Sequence, residues 1–190
     1  MHAPTTMLLI RHAETATPDV FHGYESDIDL GMRGYAQAAT LAPVIAARKP
    51  DGLVCSGMLR ARMTAEAISR VCGLPLRIEP DLHERKVGGL QGTPVTGEFG
   101  VWPDTLKRWV AGETAYAPAG MESFDDMARR VLPVWDRLAP DSPGQTPAVA
   151  AHCILSRGRV FTALGRANTA GCPAPRPTAS SSLCEGPGGG

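Results

Sequence analysis

Hydrophobic positions fall into short continuous runs that alternate with longer periodic stretches. Met7-Leu8-Leu9-Ile10 is four apolar residues in a row, too short for a buried helix and suited to an interior strand. Gly52 to Ser56 and Leu76 to Glu79 read as further short strands, and Ala148 to Ala151 as another buried one. Between them lie helical patterns. Tyr35 to Arg48 is alanine-rich, places Ala38, Leu41, Val44 and Ile45 at helical spacing, and stops at Lys49-Pro50. Met58 to Val71 is a stronger helix closed by Cys72-Gly73. Phe124, Met127, Val131, Val134, Trp135 and Leu138 keep a 3.6-residue period, within which Pro133 is expected to bend or break the helix. A short helix is expected from Arg157 to Leu164. The alternation of strand and helix predicts a mostly parallel sheet with right-handed crossovers.

Two segments depart from this rhythm. Ala16 to Ile28 has little period and several turn formers, and reads as a long loop. Residues 92–121 form a helical insertion of weak pattern, in which Trp102, Leu106 and Trp109 recur at roughly helical spacing and serve either a helix core or a substrate mouth. The expected organisation is one domain over residues 1–185, with a disordered glycine-rich tail at 186–190.

Composition narrows the functional classes. With 190 residues, 43% of them hydrophobic and 20% charged, the chain is long enough to bury a proper core. Its 19 basic residues balance 19 acidic ones, so no general attraction to nucleic acid or membrane is expected, and any anion site must be local. The five cysteines (Cys55, Cys72, Cys153, Cys172, Cys184) are scattered and never at C-x-x-C spacing, which argues for reduced thiols and against a zinc site. No apolar run reaches transmembrane length, and Met1 to Thr6 enters the first strand without a leader pattern, so a cytoplasmic address is expected.

The chemistry collects where apolar runs stop. In open α/β sheets the ligand crevice lies beyond the carboxyl ends of the parallel strands. Arg11 and His12 follow the first strand, and His152 follows Ala148 to Ala151, so two histidines are expected at one edge of the sheet. Taken alone, either is equally a polar loop residue. Arg60 and Arg62 lie in the first turns of the second helix, where free backbone N–H groups favour an anion, but residues two apart cannot both face it. Glu84 lies in a charged, glycine-rich loop from Asp81 to Gly92. It is either a solvated neighbour of Arg85 and Lys86 or an acid able to protonate a leaving oxygen once burial favours its neutral form.

Together these residues resemble a known family. Arg11-His12-Ala13-Glu14-Thr15 is similar to the R-H-G-E-[ST] signature of the histidine phosphatase superfamily, which includes the cofactor-dependent phosphoglycerate mutases. Ser56 to Ala65 resembles its S-x-L-x-R-A-x-x-T-A helix start, which selects Arg60 over Arg62. Leu82 to Gly92 is similar to the segment carrying the family's acid, which falls on Glu84, and Ala151-His152 with Arg157 resembles its second histidine motif. The resemblance implies a three-layer α/β/α sandwich of phosphoglycerate mutase type. It also implies a phosphohistidine mechanism with His12 as nucleophile, Glu84 as acid and base, and phosphate held by Arg11, Arg60, His152 and the backbone of Cys153, with neither metal nor cofactor. Three departures stand out. Ala13 replaces a glycine, Pro18 stands where an asparagine often touches phosphate, and Cys153 replaces the glycine after the second histidine.

The expected activity is hydrolysis of small phosphomonoesters. A phosphoglycerate mutase is the alternative, but between Gln91 and Gly120 only Lys107 and Arg108 are available to grip a second acidic group. A catalytically degenerate phosphate-binding module is a third reading, motivated by Pro18, Cys153 and the unusual tail. The expected partner is a small phosphorylated substrate, with no nucleic acid and no membrane, and a homodimer is compatible with the sequence.

Overall fold

A computed structural model describes residues 6–95, 100–138 and 144–152, together with the backbone of 183–187. Five strands, β1 (Thr6–Arg11), β2 (Gly52–Cys55), β3 (Leu76–Ile78), β4 (Pro147–Ala151) and β5 (Leu183–Pro187), form one sheet in the order β3-β2-β4-β1-β5. β1, β2, β3 and β4 are parallel, and β5 runs antiparallel along β1. The β5 pairing takes in Gly186 and Pro187, opposite Met7 and Thr6, two residues into the stretch expected as a disordered tail. The expected helix from Arg157 to Leu164, Cys153 and residues 188–190 lie outside the described residues.

Both faces of the sheet are covered, which explains why its strands read as unbroken apolar runs. Side chains alternate along a strand, so one face presents Leu8, Ile10, Leu53, Cys55, Ala148 and Ala150. These meet Leu41, Ala42 and Ile45 of α1 (Met32–Ala47) and Ala65 and Ile68 of α2 (Leu59–Cys72). The other face presents Leu9, Val54 and Val149 to Met127, Val131, Val134 and Trp135 of α4 (Phe124–Leu138). Trp109 of α3 (Val101–Val110) and Leu82 complete that layer. The result is the expected α/β/α sandwich, and the α3 aromatics belong chiefly to its core.

Pro133 neither ends nor divides α4. A proline inside a helix leaves the carbonyl four residues back without its amide partner. Here that carbonyl belongs to Arg129, and both Arg129 and Pro133 are on the exposed face, where water can take the missing bond. Pro43 in α1 is tolerated in the same way, opposite exposed Ala39. α1 also begins earlier than the sequence pattern suggests, at Met32, so Gly34 falls within its first turn.

Candidate active site

β2, β4 and β1 are neighbours, and their carboxyl ends carry Ser56, His152 and Arg11-His12 respectively. Backbone bonds continue the sheet into the site. His12 N donates to Ala151 O at 3.0 Å and Ser56 N donates to Ala150 O at 3.0 Å, which fixes both residues against the end of β4. The His12 and His152 rings then lie 5.2 Å apart between centroids, tilted by 55°.

The two imidazoles are held differently. His12 Nδ1 lies 2.8 Å from the carbonyl oxygen of Ala13. A carbonyl only accepts, so the proton of the neutral ring sits on Nδ1 and the lone pair on Nε2. Ala13 is itself fixed, its N–H donating to Thr64 Oγ1 at 2.9 Å, while the Thr64 hydroxyl donates to Arg60 O at 2.8 Å. His152 is fully buried, with Nε2 hydrogen-bonded to Ser56 Oγ at 3.0 Å and Nδ1 4.0 Å from Glu84 Oε2. Enclosure by protein is the largest influence on both rings. With the neighbouring Arg60 charge, and that of Arg11 for His12, it holds both pKa values well below the ordinary 6.5.

Arg60, 1% exposed, enters from the first turn of α2. Its Nη1 donates to Ser26 O at 3.0 Å and its Nη2 to His22 O at 3.3 Å, so it ties down the Ala16 to Ile28 loop from below. Arg60 Nε and Arg11 Nε are buried without a hydrogen-bond partner among the described residues. Buried N–H groups are normally satisfied, and two guanidinium donors beside two imidazoles are suited to an anion. Arg62 acts instead on Cys55, whose thiol is pushed up to about 12, chiefly by burial and against the Arg62 charge, and is inert in that form.

Five residues expected from the sequence, Arg11, His12, Arg60, Glu84 and His152, therefore converge, while Cys153 lies outside the described residues. Ser56 and Thr64 join them. Arg85, next to Glu84, is only 3% exposed, its guanidinium 3.9 Å from the centroid of the Trp102 ring. Pro18 is exposed on the loop. Among the described residues no group of three or more His, Cys, Asp or Glu side chains is arranged to hold a metal ion.

A family model for the histidine phosphatase superfamily (branch 1) matches residues 7–190. The chain belongs to this superfamily. A metal-independent phosphoserine phosphatase of Arabidopsis thaliana is 31% identical over 173 residues, covering 88% of this chain and 71% of that protein. A bifunctional protein of Mycobacterium tuberculosis is 32% identical over 152 residues, or 78% of this chain, which spans 41% of that relative's length. Among solved structures, a mycobacterial glucosyl-3-phosphoglycerate phosphatase superposes with a TM-score of 0.71 at 26% identity, over 85% of this chain and 80% of that one. In superfamily terms, the residues similar to its histidine, arginine and acid motifs are the ones that the sheet edge gathers. Among the described residues no helix is long and apolar enough to cross a membrane.

Proposed function

We propose that this chain hydrolyses small phosphomonoesters through a phosphohistidine on His12, without a metal. The observation that carries the reading is the pairing of two imidazoles with buried guanidinium N–H groups at the ends of adjacent parallel strands. Relatives named as phosphoserine and glucosyl-3-phosphoglycerate phosphatases support a small-molecule substrate.

In the first step His12 Nε2 attacks phosphorus and the bond to the leaving oxygen breaks. Glu84 delivers a proton to that oxygen, so the alcohol departs neutral. Arg11 and Arg60 donate to the non-bridging oxygens, and His152 adds a further donor. In the second step water attacks the phosphohistidine, Glu84 takes its proton, and the Nε2–P bond breaks to release phosphate. Depressed basicity suits His12 to this cycle because the attacking lone pair is present near neutral pH and the nitrogen is a good leaving group afterwards.

The two cations that the sequence offered for a mutase do not support that reading. Lys107 and Arg108 are exposed and paired with Asp104 and Glu113, at 3.6 and 3.2 Å. The test is steady-state hydrolysis of p-nitrophenyl phosphate and a panel of phosphomonoesters in the presence of a chelator, for wild type and His12→Ala. Chelator-resistant turnover lost in the variant, with an acid-labile phosphoprotein trapped on rapid quenching, is the expected result. Turnover that survives His12→Ala excludes the mechanism.

A further inference from the structure

Glu84 lies on a stretch without regular structure, between short 3-10 turns at Pro80–Leu82 and Gly88–Leu90. A general acid must nevertheless hold its carboxylate within hydrogen-bond reach of one oxygen. Arg130, on α4, supplies the fixing. Its Nε and Nη2 donate to Glu122 Oε1 and Oε2 at 2.8 and 2.9 Å, a forked ion pair in which the two side chains are 21% and 14% exposed. Its Nη1 donates to the carbonyl oxygens of Asp81, at 2.6 Å, and His83, at 2.8 Å. Glu122 then takes hold beyond Glu84. Its Oε2 accepts from Lys86 N at 3.3 Å, and its own N–H donates to Lys86 O at 3.1 Å.

One ion pair thus grips the chain on both sides of Glu84 and Arg85 without touching the Glu84 carboxylate. The grip is anchored in the core: Met127, Val131, Val134 and Trp135 bury the face of α4 beside Arg130, and Leu82, between the two gripped carbonyls, packs into the same cluster. Glu25 adds a second fastening downstream, accepting from Val87 N and Gly88 N, each at 3.1 Å.

We propose that Arg130, together with Glu122, is a positioning residue that sets the Glu84 carboxylate for proton transfer. The inference rests on the reading of Glu84 as acid and base. It assigns the pair a role in proton transfer and none in phosphate recognition. Loss of the grip therefore harms poor leaving groups, which must be protonated, more than good ones.

The experiment measures kcat/KM against leaving-group pKa, from p-nitrophenyl phosphate to alkyl phosphates, for wild type, Glu84→Gln, Arg130→Met, Arg130→Lys and Glu122→Gln. Wild type and Glu84→Gln fix the two ends of the scale, a shallow dependence and a steep one. Arg130→Met is expected to steepen the dependence, losing roughly 10–100-fold on alkyl phosphates and only about threefold on p-nitrophenyl phosphate, less than the roughly 100–10,000-fold that general acid catalysis as a whole supplies. Arg130→Lys, which keeps the charge but not the fork, falls between. An equal loss on every substrate, or an unchanged dependence beside a steep Glu84→Gln, overturns the proposal. A shallow Glu84→Gln instead overturns the underlying reading of Glu84, and the proposal with it. If Arg130→Met loses its native circular dichroism, the isosteric Glu122→Gln carries the same comparison.

Discussion

The Nδ1 proton of His12 is committed to Ala13 O, so any nucleophilic reaction of the neutral ring goes through Nε2. The pH dependence follows from how that ring is held. Enclosure and the Arg60 and Arg11 charges disfavour the imidazolium, so kcat/KM, corrected for the substrate's own ionisation near about pH 6, is expected to keep its plateau below 6.5 and fall only at more acidic pH. Arg60→Gln removes the larger of the two cationic influences. Its acid limb should move up toward 6.5, alongside a loss of about 100-fold or more from the missing phosphate donor. An unmoved limb dismisses the electrostatic account. A second residue-scale prediction concerns Thr64, whose hydroxyl accepts from Ala13 N and donates to Arg60 O. Thr64→Val keeps the shape but strands a buried N–H next to the nucleophile, at a cost of about 1–3 kcal/mol read from denaturant unfolding. Arg11, His12, Arg60, Glu84 and His152 were legible in the sequence because each puts distinctive chemistry at the end of a strand, helix or loop signal. Ser56 opened a recognisable motif, but its bond to a histidine 96 residues away was not legible, because only the folded sheet brings the two together. Arg130 and Glu122 were hidden for the same reason: one lies on a helix of plain amphipathic pattern and the other lies two residues before it, and only the fold brings both to the Glu84 loop.

At the scale of elements, the start of α1 is built around the backbone that follows the nucleophile. Gly31 N donates to Glu14 O at 3.0 Å, and Glu14 N donates to Gln37 Oε1 at 2.9 Å. Gly34 lies so close that a Cβ added there would run into the Glu14 carbonyl oxygen, an atom of the backbone that has no flexible end to move aside. Gly34→Ala is the decisive substitution because two effects oppose each other. Helix propensity favours alanine by about 1 kcal/mol, whereas forcing a methyl into a packed contact costs about 1–3 kcal/mol and displaces the neighbours. The clash should win, giving a less stable protein whose activity falls with it, since Glu14 is two residues from His12. A more stable, fully active Gly34→Ala shows that α1 can back away freely. The helix itself was legible from its alanine-rich period. Its true start was not, since Gly31 and Gly34 argue locally for a turn and only the tertiary contact explains a glycine inside the first turn. The unbroken α4 makes the converse point about Pro133, whose cost depends on whether the freed carbonyl faces water, and a sequence does not show that directly.

For the molecule as a whole, the same arrangement that readies the site for phosphate makes the fold sensitive to acid. His12 and His152 are neutral when folded and bind a proton readily only once unfolded, where their pKa returns to about 6.5. Above that value neither state is protonated and the contribution to stability is complete. Below it the unfolded chain gains protons that the folded one refuses, so stability falls as pH drops, by about 1.4 kcal/mol per pH unit for each such histidine until the folded-state value is reached. His83, lowered chiefly by burial and then by the Arg130 charge, acts in the same direction. Urea unfolding from pH 7.5 down to pH 5.0 is the measurement, with His152→Gln as the comparison. Its absolute stability is of secondary interest; the variant should show a shallower decline below 6.5 because one of the three linked histidines, and one of the two most strongly lowered, is gone. Inorganic phosphate supplies the complementary test. An anion bound between Arg11, Arg60 and the two rings stabilises only the folded state, by an amount set by the ratio of its concentration to its dissociation constant. It also favours protonated histidine, so its stabilising effect should grow toward lower pH while monoanionic phosphate remains available. Equal slopes for wild type and His152→Gln, with no gain from phosphate, mean that acid sensitivity arises elsewhere in the fold and that the sheet edge is not the molecule's anion site.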